Sequence, residues 1–149
     1  EVPMIEIYTD ASVGKGSAVA TVFILTDSSY IGYQVFKFDD VHTSIHGEIL
    51  GALNALRYAE SVLQLSEDRI TLYTDSIAMI NLLKCNLKTT SNKQAQLYRE
   101  LLTELKSLIT TLKVDVQLIH GHAVGHNPNK VVDLISNSVL RMNKKETKV

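Results

Sequence analysis

Two aspartates that follow the same dipeptide are the residues best suited to chemistry. Asp10 ends the run I-E-I-Y-T-D, and Asp75 ends the run R-I-T-L-Y-T-D. Both runs are rich in β-branched and apolar residues, which predicts two strands that each end in a carboxylate. A charge in such a place is unfavourable unless a cation or another partner lies beside it. If the two strands pair in parallel, the two acids are neighbours and can hold a divalent metal ion.

Two further acids complete a candidate metal site. Glu48 lies in the first turn of a predicted helix, and Asp133 lies near the start of the last one. Ligation by carboxylate oxygens suits Mg²⁺ or Mn²⁺ better than Zn²⁺. Two such ions about 4 Å apart can activate a water and stabilise the leaving oxygen of a phosphodiester. Each acid alone also fits an ordinary helix cap or turn, so the hypothesis depends on all four meeting.

Three histidines form the segment H-G-H-A-V-G-H, at His120, His122 and His126. A zinc site is the rival interpretation, but no cysteine lies near them in the sequence and no fourth ligand is evident. A glycine-flanked histidine titrates near neutral pH, so His122 can carry protons or assist product release. His42 and His46, which flank the start of the long helix, are expected to be exposed turn residues.

The elements that must position these residues follow from hydrophobic periodicity. Alternation predicts strands, and 3.6-residue spacing predicts helices. In chain order these are strands over residues 5–12, 17–26 and 30–38, a helix over 43–63, a strand over 69–74, helices over 76–83 and 95–112, a strand over 114–120 and a helix over 129–142. In the helix over 95–112, the residues expected to face the core are Leu97, Leu101, Leu105, Leu108 and Leu112. Three consecutive strands followed by helix–strand crossovers indicate an α/β (mixed α+β) fold, with a mixed sheet and helices packed on it.

Composition sets the broad class. The chain has 149 residues, of which 45% are hydrophobic, and this predicts one domain over 1–149 with its core at about 4–142 and a basic tail over 143–149. No apolar run reaches membrane-spanning length, and no secretory leader is recognisable. Cys85 is the only cysteine, which excludes an internal disulfide and fits a cytoplasmic, reducing compartment.

Charge is divided unevenly along the chain. Residues 1–80 carry eleven acids and four bases, a balance of −7, whereas residues 81–149 carry five acids and eleven bases, a balance of +6. This division is compatible with a metal site beside a phosphate-binding surface, and equally with ordinary solvated surface charge.

Four segments in order resemble the signature blocks of the type 1 ribonuclease H family, and together they span roughly residues 4–142. They are I-Y-T-D-A-S at 7–12, H-G-E-I-L-G-A-L-N-A-L at 46–56, L-Y-T-D-S at 72–76 and G-H-A-V-G-H-N-P-N-K-V-V-D at 121–133. The resemblance implies an RNase H-like fold with a five-stranded mixed sheet. It also implies cleavage of the RNA strand of an RNA–DNA hybrid, which leaves a 5′-phosphate and a 3′-hydroxyl. The residues implied for this chemistry are the metal-binding acids Asp10, Glu48, Asp75 and Asp133 and the loop histidine His122.

The resemblance also suggests substrate contacts. The implied phosphate or sugar contacts are Ser12, Thr43, Ser44 and Asn81, with Asn129 bracing the active-site loop. Ile45 and Ile77 stand where family members commonly carry amides that face the minor groove, and Val124 lengthens the loop by one residue. Hybrid recognition depends on minor-groove and 2′-hydroxyl contacts.

The basic protrusion of many cellular members is missing, which resembles the RNase H domains of reverse transcriptases. The chain is accordingly expected to be part of a larger polymerase polypeptide or otherwise a monomer, and to bind substrate weakly and with strong salt dependence. Two other functions stay open: a catalytically weak or inactive RNase H-like domain that binds nucleic acid or protein, and a nuclease of the same fold that cuts another duplex.

Overall fold

The computed structural model describes residues 4–26, 29–63 and 69–119, and these contain five strands and four helices. The strands are β1 (Met4–Gly14), β2 (Ser17–Thr26), β3 (Ser29–Asp39), β4 (Arg69–Thr74) and β5 (Asp115–Leu118). The helices are α1 (Ser44–Leu63), α2 (Ile77–Leu83), α3 (Lys93–Leu97) and α4 (Arg99–Thr111). The predicted helix over 129–142 and the predicted tail over 143–149 lie outside the described residues.

The strands form one mixed sheet in the order β3-β2-β1-β4-β5. β1 pairs antiparallel with β2, and β2 pairs antiparallel with β3, whereas β4 is parallel to both β1 and β5. β1 runs two residues further than predicted because the connection to β2 is only Lys15-Gly16, both with positive φ (53° and 79°). A two-residue turn of this hand matches the right-handed twist of the paired strands. The predicted mixed sheet flanked by helices is confirmed.

Helix α1 packs against β1 and β2 and forms the centre of the hydrophobic core. The 3.6-residue spacing of apolar residues in α1 predicts a buried stripe, and the structure buries Ile45, Ile49, Ala52, Leu53, Leu56 and Ala59. They share one core with buried side chains of the sheet such as Ile7 and Leu72. Burial of each such side chain stabilises the fold by about 1.5–3 kcal/mol. Gly47 allows the close approach, since a Cβ there would lie 2.8 Å from Val13 Cγ2.

The predicted single helix over 95–112 is wrong in one respect, because it is two helices interrupted at Tyr98 (φ −103°, ψ 24°). The interruption changes which side chains face inward. Leu97 was expected in the core, but it is 73% exposed, whereas Leu102 and Leu105 are fully buried. Across the described ranges, no helix is long and apolar enough to span a membrane.

Candidate metal centre

The pairing of β1 with β4 brings Asp10 and Asp75 to the same place. Paired residues differ by 65 positions, from Met4 with Arg69 to Tyr8 with Tyr73. Continuing that register by two residues places Asp10 opposite Asp75. The two acids are therefore neighbours at the carboxyl ends of adjacent parallel strands, as the repeated Y-T-D sequence predicts.

The two copies of Y-T-D are alike in environment at their tyrosine and threonine positions, whereas Asp10 is more deeply buried than Asp75. The Tyr8 and Tyr73 rings stack with their centroids 4.7 Å apart, and both Thr9 and Thr74 are fully buried. Burial, together with the nearby Glu6 carboxylate, raises the pKa of Tyr8 to about 12. The same two causes raise the pKa of Tyr73, whose hydroxyl lies 3.4 Å from Glu6 Oε1.

Helix α1 delivers the third carboxylate. Glu48 is the fifth residue of α1, so it lies just beyond the first turn in which the sequence had placed it. Its side chain is directed at the sheet, where Glu48 Oε1 accepts a hydrogen bond of 3.3 Å from the backbone N–H of Ala11. This contact attaches Glu48 to the residue that directly follows Asp10.

Three carboxylates thus meet. Asp10, Glu48 and Asp75 each offer an oxygen, and these oxygens lie within 4.8 Å of one another. Asp10 is 4% exposed and Glu48 is 8% exposed, whereas Asp75 is less buried than either of them. Carboxylates this close repel one another unless a cation neutralises them, and the purely oxygen donor set suits Mg²⁺ or Mn²⁺. The residues present therefore fit a divalent metal ion.

A shallow groove lies beside the three acids, between the start of α1 and α2. Its wall is formed by Thr43, Ser44, Ile45, Glu48, Asp75, Ser76, Ala78 and Gln94. The predicted contacts Thr43 and Ser44 are exposed here, whereas Ser12 is buried on β1 and Asn81 is exposed on α2 outside this lining. The remaining predicted site residues, His122, Asn129 and Asp133, lie outside the described residues.

The two isoleucines at the expected amide positions differ in environment. Ile45 is 6% exposed and belongs to the hydrophobic core. Ile77 is 59% exposed at the start of α2, two residues after Asp75. Ile45 is therefore a packing residue, and only Ile77 is accessible to a bound substrate.

One histidine expectation was wrong. His42 is exposed as expected, but His46 is half-buried, and its ring stacks on Tyr98 with the centroids 5.0 Å apart. Burial, followed by the charge of His42, lowers the pKa of His46. Sequence reasoning missed Gln94, which lines the groove, and Tyr98, which contacts Thr43 and His46. For Tyr98 the only signal was an aromatic residue that did not fit the leucine spacing.

Comparison with solved structures shows the fold. The chain is similar to RNase H1 from the halophilic archaeon Halobacterium salinarum, with a TM-score of 0.69 and 17% identity over 93% of this chain and 98% of that one. It is also similar to LC11-RNase H1 in complex with an RNA/DNA hybrid, with a TM-score of 0.67 and 15% identity over 90% of this chain and 94% of that one.

A third similar structure belongs to a larger protein. The prototype foamy virus protease-reverse transcriptase matches with a TM-score of 0.71 and 15% identity over 90% of this chain, but over only 20% of that one. No curated protein sequence matches the chain. The sequence profile of the RNase H family matches residues 3–141, nearly the whole chain. The protein therefore belongs to the RNase H family.

Proposed function

We propose that the protein is a metal-dependent endoribonuclease that hydrolyses the RNA strand of RNA–DNA hybrids and leaves 5′-phosphate and 3′-hydroxyl ends. The observation that carries this proposal is the meeting of Asp10, Glu48 and Asp75, which come from β1, α1 and the end of β4. Family membership and the similarity to an RNase H1 bound to an RNA/DNA hybrid support the choice of substrate.

The chain's own residues have distinct tasks in this proposal. Asp10 and Glu48 are buried and form the inner side of the metal site, while Asp75 faces solvent, from which the substrate arrives. When bound, two Mg²⁺ or Mn²⁺ ions supply an activated water and stabilise the charge on the leaving oxygen. The Ala11 N–H holds Glu48 in orientation by donating to Oε1.

Asp133 is the proposed fourth ligand and His122 the proposed group for proton transfer or product release. Two observations support these roles: both residues lie in the family-like segment 121–133, and the chain that precedes this segment runs beside the metal centre. The described chain ends at Ile119, whose N–H donates a 2.9 Å hydrogen bond to the Thr74 carbonyl, one residue before Asp75. Asn129 is proposed to brace the loop that carries His122.

Substrate contacts are proposed along the groove beside the acids. Ser44 is the best placed, because its exposed side chain lies in the same wall as Asp75. Thr43 follows, although its hydroxyl already bonds within the protein. Ser12 and Asn81 remain proposed contacts with less direct access, since one is buried and the other lies outside the groove wall.

The polypeptide to which the domain belongs, and the compartment in which it acts, are also proposals. The foamy virus match covers a fifth of that protein, which supports a place for this chain within a larger polymerase polypeptide; otherwise we expect a monomer. The single cysteine, Cys85, favours a reducing cytoplasmic compartment.

A cleavage assay tests the proposal. Labelled RNA–DNA hybrid, double-stranded RNA and double-stranded DNA are incubated with Mg²⁺ or Mn²⁺, with Asp10→Asn as the control. We expect only the RNA of the hybrid to be cut. We expect Asp10→Asn to lose about 100-fold or more, since even outer-shell partners of metal ligands contribute 10–100-fold.

The same assay decides between the alternatives. Ile77 places an exposed apolar side chain close to Asp75, and this favours a same-fold nuclease with a different duplex preference as the second candidate. Cleavage of another duplex with the hybrid intact would establish that candidate. No cleavage in either metal would leave a catalytically inactive, nucleic-acid- or protein-binding RNase H-like domain.

A further inference from the structure

Tyr98 lies between α3 and α4 and contacts the start of α1. It separates α3 from α4, and its side chain is buried. Its hydroxyl lies 2.8 Å from Thr43 Oγ1, and its ring stacks on His46. The backbone at Tyr98 departs from helical angles (φ −103°, ψ 24°), and these two contacts are made at that point of the chain.

The contacts of Tyr98 fall on the residues that begin α1. Thr43 directly precedes the helix and caps it, because Oγ1 accepts from the His46 N–H at 3.2 Å and its carbonyl accepts from the Gly47 N–H at 3.2 Å. First-turn N–H groups have no partner within the helix and depend on such caps. Tyr98 thus contacts the start of α1 twice: its hydroxyl bonds to the Thr43 hydroxyl, and its ring packs on His46 in the first turn.

The first turn of α1 leads directly into the metal centre. Glu48 follows Gly47 and lies two residues after His46, so any rotation or fraying of the first turn moves its carboxylate. Its present place depends on the 3.3 Å bond from the Ala11 N–H. Metal ligands must be held to within about 0.5 Å by the residues around them to bind well.

We propose that Tyr98 is a positioning residue for the metal centre: it orders the start of α1 through Thr43 and His46 and thereby places Glu48. The inference rests on the proposed function in that it takes Glu48 as a metal ligand. Tyr98 itself contacts neither the three acids nor, in this proposal, the scissile phosphodiester.

The test compares variants that change single hydroxyl groups. Tyr98→Phe keeps the ring and its stacking and removes only the bond to Thr43. Tyr58→Phe is the matched control, because Tyr58 is partly buried on α1, the helix that carries Glu48, and lies ten residues beyond it. Thr43→Val removes the cap, while Thr43→Ser keeps a hydroxyl in place. Mn²⁺ affinity without substrate, amide hydrogen exchange of His46 and Gly47, and melting temperature are measured for each variant.

We expect Tyr98→Phe to weaken Mn²⁺ binding by about fivefold, the scale set by one hydrogen bond of ordinary net strength. Exchange at the His46 and Gly47 amides should accelerate. Thr43→Val should act in the same direction and make a further Tyr98→Phe change nearly silent, because both variants remove the same contact. Thr43→Ser should behave like the wild-type chain, and Tyr58→Phe should leave Mn²⁺ affinity unchanged.

Unchanged Mn²⁺ affinity in Tyr98→Phe would overturn the inference, and so would an equal loss in Tyr58→Phe, since that would indicate general destabilisation. Failure of the proposed function is read separately, from the wild-type chain, as absence of Mn²⁺ binding. In that case the exchange rates of His46 and Gly47 decide whether Tyr98 orders the start of α1.

Discussion

At the scale of single residues, each of the three positions of the repeated Y-T-D sequence has a distinct structural role. The tyrosines stack on each other, the threonines are buried, and the aspartates meet a carboxylate from α1. The two copies lie at the same register of adjacent parallel strands, which brings their tyrosines and their aspartates side by side. The repeat was therefore the most informative sequence feature of the site.

The tyrosine pair predicts how stability depends on alkaline pH. Because the pKa of Tyr8 is raised to about 12 from 10.0, the folded chain holds this proton more tightly than the unfolded chain does. The stabilisation is fully present below pH 10 and is lost as the pH rises toward 12. We expect the free energy of unfolding, measured by urea denaturation from pH 9 to 11.5, to fall across this window.

The control is Tyr8→Phe, which should show a shallower fall over the same window. The slope should not vanish, because the pKa of Tyr73 is raised as well. An unchanged slope in Tyr8→Phe would contradict the link between this pair and alkaline stability.

At the scale of elements, the close packing of α1 on the sheet sets the position of Glu48. Gly47→Ala would place a Cβ 2.8 Å from Val13 Cγ2, on a short branched side chain that cannot turn away. The helix must then shift, and we expect a loss of about 1–3 kcal/mol in the free energy of unfolding, typical of an overpacked core. Mn²⁺ binding should weaken as well, since Glu48 is the next residue.

Gly32→Ala provides the comparison, because a Cβ at Gly32 has no atom within 4 Å. Its unfolding free energy should stay within about 0.5 kcal/mol of the wild-type value. Equal stability and equal Mn²⁺ affinity in Gly47→Ala and Gly32→Ala would show that the close approach of α1 does not position Glu48.

Elements with regular local patterns could be predicted from the sequence. The bounds of β2 and β4 agree with the predictions, and α1 begins one residue later, after its cap. The break at Tyr98 could not be predicted, because no proline or glycine marks it in the sequence and the partner of the Tyr98 hydroxyl, Thr43, lies 55 residues earlier in the chain. The same break explains why Leu97 is exposed although it fits the leucine spacing.

The candidate site was predictable to a similar degree. The approach of Asp10 to Asp75 followed from the repeat, whereas the bond from Ala11 to Glu48 depends on how closely α1 packs on β1. The difference between Ile45 and Ile77 likewise depends on helix orientation, which composition does not encode. Asp133 and His122 stay predictions.

At the scale of the whole molecule, the division of charge predicts salt-dependent binding. Residues 81–149 carry a balance of +6, and if they face the substrate they can supply cations for its phosphate backbone. Binding of a hybrid by the non-cleaving Asp10→Asn variant should weaken by about tenfold or more between 50 and 200 mM salt, as a few phosphate contacts would produce. Fluorescence anisotropy measures this dependence, and a flat profile would contradict a backbone-binding role for that half.

The central claim is that Asp10, Glu48 and Asp75 form a site for divalent metal, and calorimetric titration with Mn²⁺ tests it most directly. The wild-type chain is compared with Asp10→Asn/Asp75→Asn and with Asp39→Asn/Asp115→Asn, which removes the same charge from two exposed positions on β3 and β5. We expect Mn²⁺ binding in the wild-type chain and in the Asp39/Asp115 variant, and its loss in the Asp10/Asp75 variant. Binding that survives in the Asp10/Asp75 variant would contradict the carboxylate site.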